Sequence, residues 1–487
     1  MTATPISEIP LIRDTLRASF RKGLTRPIEW RKHQLYQLAR MLQDNAEAFA
    51  DALGQDLGKP RLETYGFEIG AIVERILLTA DRLDDWAKPT AVNSACVVYW
   101  SCLRQFTRFS DWQKPLKPTV YKAAKGTVLI IAPWNFPVVL SLQPLIGAIA
   151  AGCCAVLKPS EISPHFSALV AELFPKYLDP NAYRVVLAAV PETTKLLELQ
   201  WDHIFYTGNA RVARIISAAA AKHLTPLTLE LGGKSPAIVD PSCDINLAAK
   251  RILWAKSHNC GQLCVAPDYV VIPRSHQEAF VSATKEWYAE FFPEGSMQSS
   301  SISRIVSPEH HARLMDLLKR SKGKVIMGGQ TEGNTKIEIT VLKDVPADDS
   351  FMDGEIFGPF LPIVPVDNFE DAIEFVRDRD HPLVLYAFTE NPETKKRILD
   401  ETMSGTIVFN DLIQQLSFNE LPFGGVGQSG YGRQMAQYTF DAFSYERAGL
   451  DVPNEVEPFN AIRYPPYNDE KFKIMSAGVF SPIPSSS

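Results

Sequence analysis

The chain has 487 residues, 46% hydrophobic and 22% charged, which supplies a large core and exceeds the length of one small domain. Its 50 Lys and Arg against 56 Asp and Glu give a net charge of −6. With no clustered basic run, this balance excludes nucleic acid as the main partner and leaves no polybasic membrane patch.

Residues 6–87 are expected to be helical, because apolar residues recur there at three- and four-residue spacing. Residues 90–111 mix aromatics with two cysteines and give no clear element. The stretch TVYKAAKGTVLIIAPW then reads as strands around a glycine turn. Residues 126–157 carry no charge, a length that would suit a membrane span. Pro133, Asn135, Pro137, Gln143 and Pro144 interrupt it, and broken backbone is costly in lipid. A buried strand, a turn, a buried helix and a second buried strand fit better.

From there apolar strands (CCAVLKP, YRVVLAAV, HIFYTG) alternate with helical stretches such as ISPHFSALVAELFPKYL and NARVARIISAAAAKHL. The alternation predicts an α/β fold with a parallel sheet covered on both faces. A second alternating set follows Glu230: SPAIVD, NLAAKRILWAKSHNC, DYVVIP, HQEAFVSATKEWYAEFF, FLPIVPV and DAIEFVRD. The C-terminal end has no run of about 20 apolar residues and so no tail anchor is expected. The start, MTATPISEIPLIRDTL, has no secretory pattern. The seven cysteines (Cys96, Cys102, Cys153, Cys154, Cys243, Cys260 and Cys264) show no zinc spacing. No metal is therefore expected, and the compartment is expected to be reducing and cytoplasmic.

Several short motifs could carry chemistry, and each has a plainer reading. A GxGxxG match at Gly425, Gly427 and Gly430 follows residues 421–423 rather than a strand. It fails the context of a dinucleotide fingerprint and reads as a tight glycine loop. Asn135 between two prolines is a turn former or an amide donor for an oxyanion. Lys158 and Glu161 follow a strand, where α/β sheets bind ligands, or stand on a solvated loop. Gly208 and Asn209 lead into a helix whose N-terminal amides could meet a pyrophosphate, and Asn209 could equally be an N-cap. Glu230, in LELGGK, is set among apolar residues and glycines, where desolvation would raise its pKa toward that of a general base. Cys264, in NCGQLCVAP, is a candidate thiol nucleophile, with Cys260 as rival; composition does not choose between them.

Taken in order, the motifs PWNFP, LKPSE, FYTGN, LELGGK, GQLCVAP, EIFGP and LPFGGVGQSGYG resemble the aldehyde dehydrogenase superfamily, over about residues 28–467. The short N-terminus, residues 409–411 and RYPPY at 463–467 resemble its class 3, or fatty-aldehyde, branch, with fungal members that oxidise apocarotenals similar in pattern. The resemblance implies Cys264 as nucleophile, Glu230 as general base and Asn135 as oxyanion donor. Lys158, Glu161 and Glu355 would hold the riboses of NAD or NADP. Trp134 and Asn209 would face the pyrophosphate and Phe357 the nicotinamide, with Gly208 and Val212 also binding the cofactor.

The fold so implied has a Rossmann-like cofactor domain (1–111 and 125–229) and an α/β catalytic domain (230–433). A β oligomerisation arm (112–124 and 444–453) and a tail (454–487) complete it. The expected activity is oxidation of an apolar aldehyde to its acid by a homodimer without an integral membrane segment. The apolar stretches LIQQLSF and GVFSPIP are expected near the substrate mouth. An acylating, coenzyme A-dependent dehydrogenase and a cofactor-free thiol esterase are the alternatives. The sequence departs from the family in its longer, cysteine-rich residues 90–111.

Overall fold

The structure is a computed structural model that describes residues 2–92 and 114–480. The expectation of an insertion across residues 90–111 falls almost entirely outside these residues. The chain divides into two compact units, residues 1–86 with 124–444 and residues 87–123 with 445–487.

The first unit opens with helices Glu8–Lys22, Ile28–Asp44, Ala46–Leu57 and Ala71–Ala87. Between the last two, Thr64–Gly70 forms a π-helix that the three- and four-residue periodicity does not reveal. Residues 126–157 fold as expected, into strand Thr127–Ile131, helix Pro137–Ala151 and strand Cys154–Lys158. The helix is buried along nearly its whole length, which is why it is apolar all round rather than amphipathic.

These strands belong to a six-stranded sheet. Its order is Gly430–Tyr431, Leu227–Glu230, His203–Thr207, Thr127–Ile131, Cys154–Lys158, Tyr183–Val185. All neighbours are parallel except the first pair. A seven-stranded sheet follows, in the order Lys324–Met327, Thr340–Lys343, Phe360–Val366, Tyr269–Pro273, Pro236–Val239, Val384–Phe388, Thr406–Phe409. Only its first pair is antiparallel. Fully buried strands such as Tyr269–Pro273 and Val384–Phe388 read as continuous apolar runs because helices cover both sheet faces. The second unit contains a three-stranded sheet of Thr90–Ala91, Thr119–Ala124 and Ser444–Gly449.

Among the described residues, no helix is long and apolar enough to cross a membrane.

Candidate active site

Helix Ile245–Ser257 runs into a turn, His258–Gly261, in which Asn259, Cys260 and Gly261 have φ of 46°, 55° and 71°. Left-handed backbone costs a non-glycine residue about 1–3 kcal/mol, so the surroundings must hold it. The Asn259 side-chain amide donates to the Gln262 carbonyl at 2.9 Å and to that of Asn135 at 3.0 Å. The Asn259 N–H donates to the buried Glu63 carboxylate at 3.2 Å. Gln262 donates to the carbonyls of Asn259 (3.1 Å) and Arg304 (2.9 Å). The turn separates the rival thiols. Cys260 is buried and lines no cavity described below, whereas Cys264 is half-buried and lines both. Burial, then the Glu355 and Glu230 carboxyls, push the Cys264 thiol up to about 12.

Glu230 ends strand Leu227–Glu230 and is 2% exposed. Neither of its carboxyl oxygens has a hydrogen-bond partner among the described residues, and burial raises its pKa well above the ordinary carboxylate value. Its backbone is fixed from two sides. The Gly208 N–H donates to the Glu230 carbonyl at 3.0 Å, and Gly430 pairs with Glu230 in the antiparallel ladder. Gly430 has φ 119°, and a Cβ there would lie 2.0 Å from the Leu229 carbonyl oxygen. The GxGxxG match is thus a tight loop that closes the sheet beside Glu230.

Asn135 follows the strand Thr127–Ile131 and is 3% exposed. Its side-chain amide donates to the Gln262 carbonyl at 3.1 Å, which leaves its second N–H for another acceptor. Its own carbonyl accepts from Lys59 Nζ at 3.0 Å. Lys59 forms a fully buried ion pair with Glu68 and stands 3.7 Å over the Phe136 ring. Glu68, from the π-helix, accepts from the Val138 N–H at 2.8 Å. It thereby satisfies a free donor in the first turn of helix Pro137–Ala151, where negative charge is favoured. Sequence reading missed Lys59 and Glu68, since neither stands in a motif and their pairing exists only in the fold.

Two cavities meet at Cys264. The larger, about 1140 Å³, is lined by Trp134, Lys158, Glu161, Gly208, Asn209, Val212, Glu230, Glu355 and Phe357, which brings the expected cofactor residues together. Lys158 and Glu161 are ion-paired. Asn209 is the N-cap of helix Ala210–Ala221, accepting from the Val212 N–H at 3.0 Å, so its plain capping reading holds while it still faces the cleft. Trp134 packs edge-on against Phe357 (centroids 5.4 Å) and His310 (5.1 Å). His310 and Arg313 also line this cleft; their stretch PEHHARLM reads only as a helix. Burial first, then Asp268, push the Glu355 carboxyl up to about 8, and its Oε1 has no partner. A Cβ on Gly232 would meet Glu355 Oε2 at 2.3 Å, so only glycine admits the carboxyl there. This donor set fits a dinucleotide. An orphaned acid, an ion pair and a helix N-terminus share one long cleft at the carboxyl ends of parallel strands.

The smaller cavity, about 350 Å³, is walled by Phe67, Phe136, Leu140, Trp254, Leu263, Ile413, Leu416, Phe423 and Met435. Glu74, Arg75, Gln143 and Asn419 also line it. LIQQLSF contributes Ile413, Gln414, Leu416 and Ser417. The other expected stretch, GVFSPIP, runs out of the described residues after 480.

A half-buried thiol where a dinucleotide-shaped cleft meets an apolar cavity, with a buried acid in that cleft, suits a cofactor-dependent oxidoreductase, and the comparisons with known proteins agree. The model of the aldehyde dehydrogenase family matches residues 11–448. Aldehyde dehydrogenase family 3 member A2 of Mus musculus is 43% identical over 457 residues, 94% of this chain and 91% of that protein. Member H1 of the same family from Arabidopsis thaliana is 41% identical over 472 residues, 96% and 94% of the two chains. A solved substrate-bound Staphylococcus aureus AldH superposes with a TM-score of 0.89 at 36% identity, covering 97% of this chain and 99% of that one. The chain belongs to the aldehyde dehydrogenase family. It is an enzyme that oxidises an aldehyde with a nicotinamide dinucleotide.

Proposed function

We propose that the enzyme converts an apolar aldehyde, of the medium- to long-chain aliphatic, polyene or aromatic kind, to its carboxylic acid, with Cys264 as nucleophile. The observation that carries this reading is the position of Cys264 at the junction of the apolar cavity and the dinucleotide cleft.

In this mechanism the Cys264 sulfur attacks the aldehyde carbon and forms a thiohemiacetal. The free Asn135 side-chain N–H and the Cys264 backbone N–H stabilise the alkoxide, as preorganised donors do in a water-poor site. When bound, NAD or NADP would supply the hydride acceptor for that carbon, with Phe357 at the cleft end that would receive the nicotinamide. A thioester on Cys264 remains. Glu230 then takes a proton from water, and the acid leaves. A carboxyl raised by burial is protonated in acid and becomes a base only as pH climbs through its raised pKa. Hydrolysis should therefore lose rate at a higher pH than an ordinary carboxylate would dictate. The unpartnered Glu230 favours water over coenzyme A as the thioester's acceptor. Trp134, Gly208, Asn209 and Val212 would border the pyrophosphate, and Glu355 and Phe357 the nicotinamide end. Lys158 and Glu161 would hold the adenosine ribose. A 2′-phosphate would meet the Glu161 charge, so NAD is the expected preference, checked by comparing kcat/KM for NAD and NADP. Residues 1–111 with 125–229 would carry the cofactor and 230–433 the chemistry.

The test is Glu230→Gln. General-base catalysis contributes about 10²–10⁴-fold, so deacylation should slow by that order while sulfur attack survives. The variant should release a burst of reduced cofactor near one equivalent per site, and intact-mass measurement should find an acyl group on Cys264. Wild-type turnover with no adduct would remove Glu230 from the mechanism.

A further inference from the structure

Two charged residues that aldehyde oxidation does not use, Glu74 and Arg75, line the apolar cavity, and only Arg75 is buried. Arg75, on helix Ala71–Ala87, is 6% exposed and faces this cavity. Its partners are all neutral oxygens: Asn419 Oδ1 at 3.1 Å from Nε, Gln143 Oε1 at 3.4 Å from Nη1 and the Leu416 carbonyl at 2.6 Å from Nη2. No carboxylate lies within ion-pair distance of it among the described residues. The acid that acts on it electrostatically, Glu74, also lines the cavity but is exposed and accepts from the Asn419 amide at 3.2 Å.

A clamp for the loop around Leu416 needs donors but no charge. A buried cation without a counter-charge is costly. A guanidinium has five N–H donors, and three are committed here, so two remain for a ligand. The neighbours are fixed so that their oxygens, not their amide hydrogens, face it: Gln143 spends its amide on Thr439 Oγ1 at 2.9 Å.

We infer that Arg75 reads the far end of the substrate: among aldehydes with the apolar chain proposed above, the preferred one carries a carboxylate at the end opposite its carbonyl. This rests on the proposed reaction at Cys264. The span follows from helix Pro137–Ala151. Phe136, at its cap beside Asn135, and Gln143, beside Arg75, are seven residues apart, roughly 10 Å at 1.5 Å per residue. Phe136, Leu140 and Leu263 wall the path between. A chain of that span sets its carbonyl at the sulfur and its carboxylate at the guanidinium, which can bind two oxygens with parallel N–H donors.

The experiment compares three aldehydes of equal span, one ending in a free carboxylate, one in the methyl ester of that carboxylate and one in a methyl group. Each is given to wild type, Arg75→Met and Arg75→Lys, with kcat/KM read from nicotinamide reduction. A charge-assisted hydrogen bond is worth about ten- to a hundredfold. Wild type should favour the free carboxylate over the ester by that factor, Arg75→Met should erase the ratio, and Arg75→Lys should keep part of it. The wild-type ratio needs no variant to fold. No preference in wild type, or equal loss on acid and ester in Arg75→Met, would overturn the assignment and leave Arg75 a loop clamp. Oxidation of all three aldehydes without preference sinks this inference alone. Failure to reduce nicotinamide with any of them sinks the proposed reaction, and this inference with it.

Discussion

At the residue scale, the two thiols of the NCGQLC stretch show how access outranks reactivity by type. Both are raised to about 12 by burial, and only Cys264 meets open cavities. Cys264→Ala should abolish oxidation while Cys260→Ala keeps much of it; equal losses in initial rate would break the assignment. The raised thiol has a second consequence. Below its pKa the thiolate fraction grows tenfold per pH unit, so alkylation of cofactor-free enzyme by iodoacetamide should keep that slope from about pH 7 to pH 10. A slope that falls off above about pH 8.5, the midpoint of an ordinary thiol, would contradict this. Single residues were only half legible in the sequence. Asn209, Lys158 and Glu230 stand in motifs that mean little alone and become specific in order. Glu68, Arg75 and His310 stand in unremarkable helical stretches, and Lys59 in the short connection after helix Ala46–Leu57. Their significance comes from partners as far as 344 residues away along the chain, as with Asn419 for Arg75.

At the scale of elements, the strained turn at Asn259–Gly261 and the first turn of helix Pro137–Ala151 are bound together through Asn135, Lys59 and Glu68. Removing one partner of a buried ion pair leaves an uncompensated charge and costs about 3–5 kcal/mol. Lys59→Met should therefore destabilise the protein by that order, read as a lower urea midpoint, and should slow acylation as Asn135 loses its carbonyl anchor. An unchanged midpoint would show that Glu68 finds other solvation. Alternation of apolar strands and helices made four strands of the first sheet readable, whereas Leu227–Glu230 and the edge strand Gly430–Tyr431 were not. The π-helix Thr64–Gly70 was not, because a one-residue widening leaves no periodic mark. Nor were strands such as Thr340–Lys343, which are short and owe their conformation to parallel neighbours far along the chain.

At the scale of the whole molecule, the three-stranded sheet of the second unit has terminal strands Thr90–Ala91 and Ser444–Gly449 that are mostly exposed. Tyr445, Leu450 and Val452 are exposed beside them. Among the described residues these edges have no further partner strand, and open edges invite pairing with another chain, which is the basis for expecting a homodimer. Light scattering at micromolar concentration should give twice the 54.3 kDa chain mass; a monomer would count against the arm.

The meeting of two cavities at one sulfur bears finally on traffic. On the proposed reading, aldehyde and dinucleotide would approach Cys264 through different spaces, lined by largely different residues. Neither has to vacate a shared passage for the other, so the acid can depart while the spent dinucleotide is still seated. The sequence of arrivals and departures is then governed by rate constants rather than by obstruction, and product-inhibition patterns should reveal it. Mutual exclusion of acid and dinucleotide would mean that the two spaces close as one.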